Sequence, residues 1–206
     1  MITIITPWLN SSELCSTYER SNTGTQVIIV DNGSDSEHAE IIKAMVKRMD
    51  GVYIRNKNNH FFAKANNQGY KRAKNDVVLF LNNDTNSTPG WYKQVERDVR
   101  EGGLYGQSSG MRFVCGRPVP YIEGWCIAAT KATWERVGLW DETLPGLYWE
   151  DNIICWNAIR KGVTLHAKNW HVQHLSNYTS SKTEGAYEYS ASNQTVFERM
   201  VYEWNH

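Results

Sequence analysis

Two β-branched apolar runs in this chain end on carboxylates. Val77-Val78-Leu79-Phe80-Leu81 delivers Asn82-Asn83-Asp84 and then Thr85, while Val27-Ile28-Ile29-Val30 delivers Asp31 and then Asn32-Gly33-Ser34. Ligands of open parallel sheets bind outside the carboxyl ends of the strands, so the two acids can face one crevice. A carboxylate there can hold a divalent cation, whose natural partner is a diphosphate. Each acid alone also suits a plainer role. Asp-Asn-Gly-Ser is strong turn chemistry, and Asp84 fits an Asx-turn or a cap. The paired placement is what favours the functional reading.

Mg²⁺ takes one or two carboxylates with phosphate and water oxygens, so Asp84 helped by a histidine is chemically sufficient. A histidine shifts the preference toward Mn²⁺. His171 and His174, three residues apart in a polar stretch, offer a metal or phosphate ligand, although a lone histidine is more often structural. Glu150-Asp151 stands at the start of a helical pattern, where acids are stabilised by the macrodipole. A carboxylate held there can also accept a proton from a sugar hydroxyl. The run from Asn56 to Gly69 is dense in amides, which suit a base and ribose but also an ordinary loop.

These residues need elements to carry them. Ile2–Thr6, 27–30, 52–54 and 77–81 predict strands, the first stopped by Pro7. Between them, 10–22 holds a short helix and Asp35 caps a helix carrying Ile41, Ile42, Met45, Val46 and Met49. A third helix runs over 63–73, and Thr88-Pro89 starts another with Trp91, Val95 and Val99 as its stripe. Strands alternating with helices predict a mostly parallel sheet with helical crossovers. Beyond Gly102-Gly103 the spacing predicts strands at 111–115, 125–130 and 163–167 and helices at 131–137, 149–161 and 184–204.

At 206 residues the chain suits a single domain, whose halves, 1–101 and 102–206, differ enough in tryptophan content to bind different things. Lys+Arg and Asp+Glu are both 22, so no global field favours nucleic acid, and no apolar run approaches a membrane span. Cys15, Cys115, Cys126 and Cys155 lack metal-like spacing and suit free thiols in a reducing cytosol. Eight of the nine tryptophans lie beyond Asp84; most belong in a core, and exposed ones suit sugar stacking.

Taken in order, these segments resemble the family 2 glycosyltransferases of GT-A fold, particularly the rhamnosyltransferase-like members. Thr6-Pro7-Trp8-Leu9-Asn10 is similar to a strand ending Pro-x-x-Asn, and Val27–Ser34 to a segment whose Asp contacts the nucleotide base. Asn56–Gly69 resembles N-x-N-x-G-F-A-x-A-x-N-x-G, with Phe61 in place of the glycine expected before Phe62-Ala63. Leu81–Thr85 resembles a version of the metal-binding DxD motif, with Asn82 at the first position. Val137–Glu142 matches a further motif, Tyr148–Asp151 matches the acidic motif that supplies the base, and His174 matches a late histidine of the metal site.

The resemblance implies an α/β GT-A fold: a Rossmann-like, mixed but mostly parallel sheet flanked by helices, with an acceptor-side carboxyl-terminal subregion. It implies a metal-dependent inverting transfer of rhamnose or a hexose from a UDP- or dTDP-sugar to a hydroxyl of a glycan or glycoprotein. Donor contacts are expected from Thr6, Pro7, Trp8, Asn10, Asp31, Asn32, Lys64, Asn67, Asn82, Asn83 and Asp84. Asp84 and His174 would hold Mn²⁺ or Mg²⁺, Asp151 would be the base with Glu150 as the other candidate, and Trp125, Trp140 and Trp149 would form the acceptor platform. The resemblance extends to glycosyltransferase domains of large algal viruses. It implies a cytoplasmic location, that of the host for a viral member, and fits one domain of a larger polypeptide. Retention of configuration, a sugar-nucleotide pyrophosphorylase and an inactive glycan- or nucleotide-binding module stay open. The loop after the first strand, 7–11, has no Gly, Lys or Arg to handle a triphosphate, which argues against the pyrophosphorylase.

Overall fold

Fully buried strands rich in Ile and Val form the centre of the molecule, whose computed structural model describes residues 1–144, 146–175 and 188–204. The first half runs β1 (Ile2–Trp8), α1 (Cys15–Asn22), β2 (Gln26–Asp31), α2 (Ser36–Arg48), β3 (Val52–Arg55), α3 (Phe61–Tyr70) and β4 (Val77–Leu81). The second runs β5 (Thr85–Asn86), α4 (Tyr92–Asp98), β6 (Gly103–Gly106), β7 (Ser109–Val114), β8 (Arg117–Ile122), β9 (Cys126–Thr130), α5 (Lys131–Val137), α6 (Glu150–Arg160), β10 (Thr164–Ala167), β11 (Gln173–His174) and α7 (Ser190–Trp204).

Seven strands make one sheet in the order β10-β6-β9-β4-β1-β2-β3. β1 is parallel to β2 and β4, and β9 alone runs against its neighbours β4 and β6. The sheet is therefore mixed but mostly parallel, as expected, and strands from both halves of the chain complete it. Strand periodicity sorts the core into two layers. Ile4, Ile29 and Leu79 pack with Tyr18, Ile42, Met45 and Val95 of α1, α2 and α4. Ile5, Ile28 and Phe80 pack with Ala63, Trp134 and Ile154 of α3, α5 and α6. Gly69 lets α3 lie on β1, since a Cβ there would come within 2.3 Å of Ile5 Cγ2. A third cluster joins Val114 and Val119 of the β7–β8 hairpin to Ile153, Trp156, Phe197 and Val201, fixing the hairpin against α6 and α7.

Several local expectations differ from the structure. β1 continues through Pro7, which pairs with Val30, because the β4 ladder has already ended at Ile5 and leaves Pro7 a free side. Ile41 is exposed, off the buried stripe of α2, and Asp35 precedes that helix without a side-chain cap. α4 begins at Tyr92 instead of Thr88-Pro89, since Gly90 at φ 81° interrupts the turn. The terminal helix is seen over Ser190–Trp204; the part expected at 184–187 lies outside the described residues. Among the described residues no helix is long and apolar enough to cross a membrane.

Candidate active site

β1 lies between β2 and β4, so the crossovers leave it in opposite directions and open a crevice at its carboxyl end. A cavity of about 430 Å³ occupies that crevice. Pro7 and Trp8 end β1 and Leu9 follows it, while Asn82, Asn83 and Asp84 follow β4, and all six line the cavity. The rest of the lining comes from the β7–β8 hairpin and its exit, with Arg112, Tyr121, Glu123, Gly124 and Trp125, and from the start of α6, with Glu150 and Asp151.

Asp84 is 2% exposed, and its Oδ1 lies 3.1 Å from His174 Nε2. Ninety residues separate the two, and a two-strand ladder joins them: β11 pairs with β5, opposing His174 to Thr85, while Leu175 N donates to the Asp84 carbonyl at 2.8 Å. Asn82 Nδ2 approaches the same His174 nitrogen at 3.4 Å. The imidazole lies flat on the Trp125 indole, with centroids 4.7 Å apart and planes at 4°. Trp125 is held in turn, since its Nε1 donates to Glu123 Oε2 at 2.7 Å and its carbonyl accepts from Asn82 N at 2.8 Å.

A carboxylate oxygen and an imidazole nitrogen converging in the lining of one cavity suit Mn²⁺ or Mg²⁺. Among the described residues no group of three or more His, Cys, Asp or Glu forms a closed cage. Two protein ligands would leave the other positions to diphosphate and water oxygens, the usual arrangement for these cations. The donor set therefore fits a metal shared with a phosphate ligand.

Glu150 and Asp151 open α6 after two residues in left-handed geometry, Tyr148 and Trp149, both at φ 76°. Such backbone is costly for non-glycine residues and persists where the surroundings fix it. Asp151 accepts from Gly124 N at 3.2 Å and Asn152 N at 2.8 Å. Gly124 permits that approach, as a Cβ on it would sit 3.1 Å from the Asp151 Cβ. Burial raises the Asp151 carboxyl, while these two N–H groups and the charge of Arg112 pull it back down. Burial pushes Glu150 up to about 8, and the neighbouring charge of Asp151 adds to that. Near neutral pH Glu150 thus keeps its proton, whereas two N–H groups and the Arg112 charge favour the anion at Asp151 against the burial that opposes it.

Of the expected donor residues, Pro7, Trp8, Asn32, Asn82, Asn83 and Asp84 line the cavity, and the others are not part of its lining. The Thr6 hydroxyl is buried against Tyr18 Oη at 2.6 Å. Asn10 Oδ1 accepts from Asp35 N at 2.9 Å. Asp31 is fully buried and is engaged by Ser34 N at 2.8 Å, by Arg55 Nη1 at 3.4 Å and by the Tyr53 hydroxyl. Lys64 is exposed on α3. Asn67 Nδ2 donates to the Trp140 carbonyl at 2.8 Å and to Glu142 Oε1 at 2.9 Å, tying α3 to the loop beyond α5.

The acceptor platform needs correcting. Trp125 lines the cavity, but Trp140 is 2% exposed, edge-on to Phe62 and Phe80 in the core, with no face for a sugar. Trp149 stands outside the lining and carries the Arg112 guanidinium, 4.7 Å from its ring centroid. Sequence reasoning missed Arg112, Tyr121 and Glu123, whose cavity positions depend on hairpin placement, and held Asn59 only as one amide of the 56–69 run. Phe61 carried a readable signal. It occupies the glycine position of the resembled pattern and lies at φ 58°, where glycine is favoured. Asn59 Oδ1 accepts from Phe61 N at 2.8 Å, and Asn32 Nδ2 donates to the Phe61 carbonyl at 3.1 Å, so an amide network holds it there.

Comparison with known proteins agrees with this architecture. Residues 9–134 match the family model "Glycosyl transferase family 2". Hyaluronan synthase of Pasteurella multocida is 32% identical over 88 residues, which is 42% of this chain and 9% of that protein. The mannosyltransferase PcManGT from Pyrobaculum calidifontis, solved with GDP-Man and Mn²⁺, aligns at a TM-score of 0.63 and 14% identity, covering 81% of this chain and 54% of its own. GalNAc-T7, solved with UDP, GalNAc and Mn²⁺, aligns at 0.68 and 14% identity over 84% of this chain and 43% of its own. The chain thus spans about half or less of these proteins, and at such identity the structural likeness speaks for the shared GT-A fold. The family match covers more than half of the sequence, and the chain belongs to glycosyl transferase family 2.

Proposed function

We propose that the cavity transfers a sugar from a UDP- or dTDP-sugar to a hydroxyl of a glycan, by a metal-dependent, inverting displacement. The observation that carries this reading is that one cavity is lined both by Asp84 with His174, 3.1 Å apart, and by Asp151. Pro7, Trp8, Asn32 and Asn82-Asn83 bind the base and ribose with apolar surface and amides, and Asp84 with His174 binds the cation. When bound, Mn²⁺ or Mg²⁺ supplies positive charge to the departing diphosphate.

Asp151 accepts the proton of the acceptor hydroxyl as its oxygen attacks the anomeric carbon. The new carbon–oxygen bond forms on the face opposite the bond to phosphate, which breaks with its electron pair going to the diphosphate. One displacement inverts the anomeric centre. The Gly124 and Asn152 N–H groups hold the carboxylate, and Trp125, the next residue after Gly124, lines the same cavity. Four free thiols fit a cytoplasmic setting, and the short span relative to the matched proteins fits one domain of a larger polypeptide.

Thermal unfolding with a panel of UDP- and dTDP-sugars, each with and without Mn²⁺, tests the reading. A donor at a hundred times its Kd adds ~2.7 kcal/mol of stability. The reading expects at least one donor to stabilise the protein only with the metal; no metal-dependent stabilisation by any of them contradicts it.

A further inference from the structure

Among the described residues lining the cavity, Arg112 is the one arginine or lysine. It stands on β7, on the hairpin face that also carries Val114 into the core beside α6 and α7. Its guanidinium carbon lies 4.7 Å from the Trp149 ring centroid and 5.2 Å from that of Tyr121. Two rings from different elements therefore hold the cation by packing, without using its N–H donors. Among the described residues the guanidinium has no carboxylate partner at ion-pair distance. A planar fork of five donors, held in place and unspent, matches a carboxylate or a phosphate.

Its neighbours decide which substrate it meets. Tyr121 belongs to the same hairpin, Trp149 immediately precedes Glu150, and Gly124 at the hairpin exit donates to Asp151. The cation–diphosphate position is built by other elements, with Asn82 and Asp84 after β4 and His174 on β11. The acids near Arg112 do not repel an anion as strongly as their number suggests. The buried Glu150 carboxyl keeps its proton near neutral pH and carries no charge there.

We propose that Arg112 binds an acidic group on the acceptor, a carboxylate or a phosphate, so that the glycan receiving the sugar is anionic beside its reacting hydroxyl. This rests on the transferase reading above and specifies its acceptor class.

Calorimetry on the protein saturated with UDP and Mn²⁺ tests it, using methyl glucoside, methyl glucuronide and a phosphate monoester of methyl glucoside as probes. At least one anionic sugar should bind ~10-fold or more tightly than methyl glucoside, as a charge-assisted bidentate contact predicts, and the tighter one identifies the group. Arg112→Gln should erase the preference and Arg112→Lys should keep part of it, with UDP affinity unchanged in both. Equal or no binding of the three sugars, or a preference that survives Arg112→Gln, overturns the proposal. A ~10-fold loss of UDP affinity in Arg112→Gln also overturns it, by assigning the residue to the donor. Failure of UDP to bind the wild-type protein with Mn²⁺ is a separate result, which removes the transferase reading and this proposal with it.

Discussion

The Trp125 indole lies parallel to the His174 imidazole at 4.7 Å and fixes the one ring nitrogen that meets Asp84. Glu123 fixes the indole through its N–H, so a carboxylate, an indole and an imidazole form one chain of contacts leading to Asp84. Supporting groups of this kind orient metal ligands and typically account for ~10–100-fold in metal affinity. Trp125→Ala should therefore weaken Mn²⁺-dependent UDP binding by ~10-fold or more. Trp125→Phe, which keeps the flat face and loses only the N–H, should fall between the two. Equal affinities for all three proteins, measured by titration calorimetry, would show that the stack positions nothing.

Asp151→Asn keeps an oxygen for the Gly124 and Asn152 N–H groups but no longer takes a proton. UDP affinity should stay at the wild-type value while sugar transfer falls by at least ~10²-fold, the usual contribution of a general base. Near-normal turnover in this variant removes Asp151 from the chemistry. Glu150→Gln, at a position already protonated near neutral pH, should retain most of the transfer rate.

Glu150 also makes stability depend on pH. Its carboxyl sits at about 8 in the folded protein, whereas an unfolded chain gives ~4.3. Between those values the folded state binds more protons than the unfolded one, so stability falls as pH rises, by at most ~1.4 kcal/mol per pH unit. Glu150→Gln removes that penalty. Its melting temperature should therefore gain on the wild type as pH is raised from about 5 to about 8. A constant difference across that range would show that burial does not hold the proton there.

Phe61 stores backbone strain that a glycine would release. Left-handed geometry costs an L-residue ~1–2 kcal/mol, while glycine loses ~0.5–1 kcal/mol more in chain entropy. Phe61→Gly should thus change stability by no more than ~1 kcal/mol, despite the lost aromatic ring. Phe61→Val, β-branched at φ 58°, should be less stable than Phe61→Gly by ~1–2 kcal/mol. Urea unfolding of the three proteins measures both differences.

The residues that were legible in the sequence are those whose position follows from local pattern. The apolar run of β4 fixes Asp84 at a strand end, and the acidic pair at the start of α6 fixes Asp151. His174 was recognisable as a residue type, but its meeting with Asp84 depends on a two-residue ladder between β5 and β11 that has no periodicity to read. Trp125 and Trp140 are alike in composition. Only the packing of Phe62 and Phe80 around Trp140 sends it to the core and leaves Trp125 in the cavity. Arg112 was unreadable because a hairpin must fold back over α6 before its inner face points at anything.

Titration of UDP in the presence and absence of Mn²⁺, on the wild-type protein and on Asp84→Ala, tests the central claim most directly. The account predicts UDP binding that requires Mn²⁺ in the wild type and disappears in Asp84→Ala. UDP binding of equal strength with and without the metal, unchanged when Asp84 is removed, would contradict it.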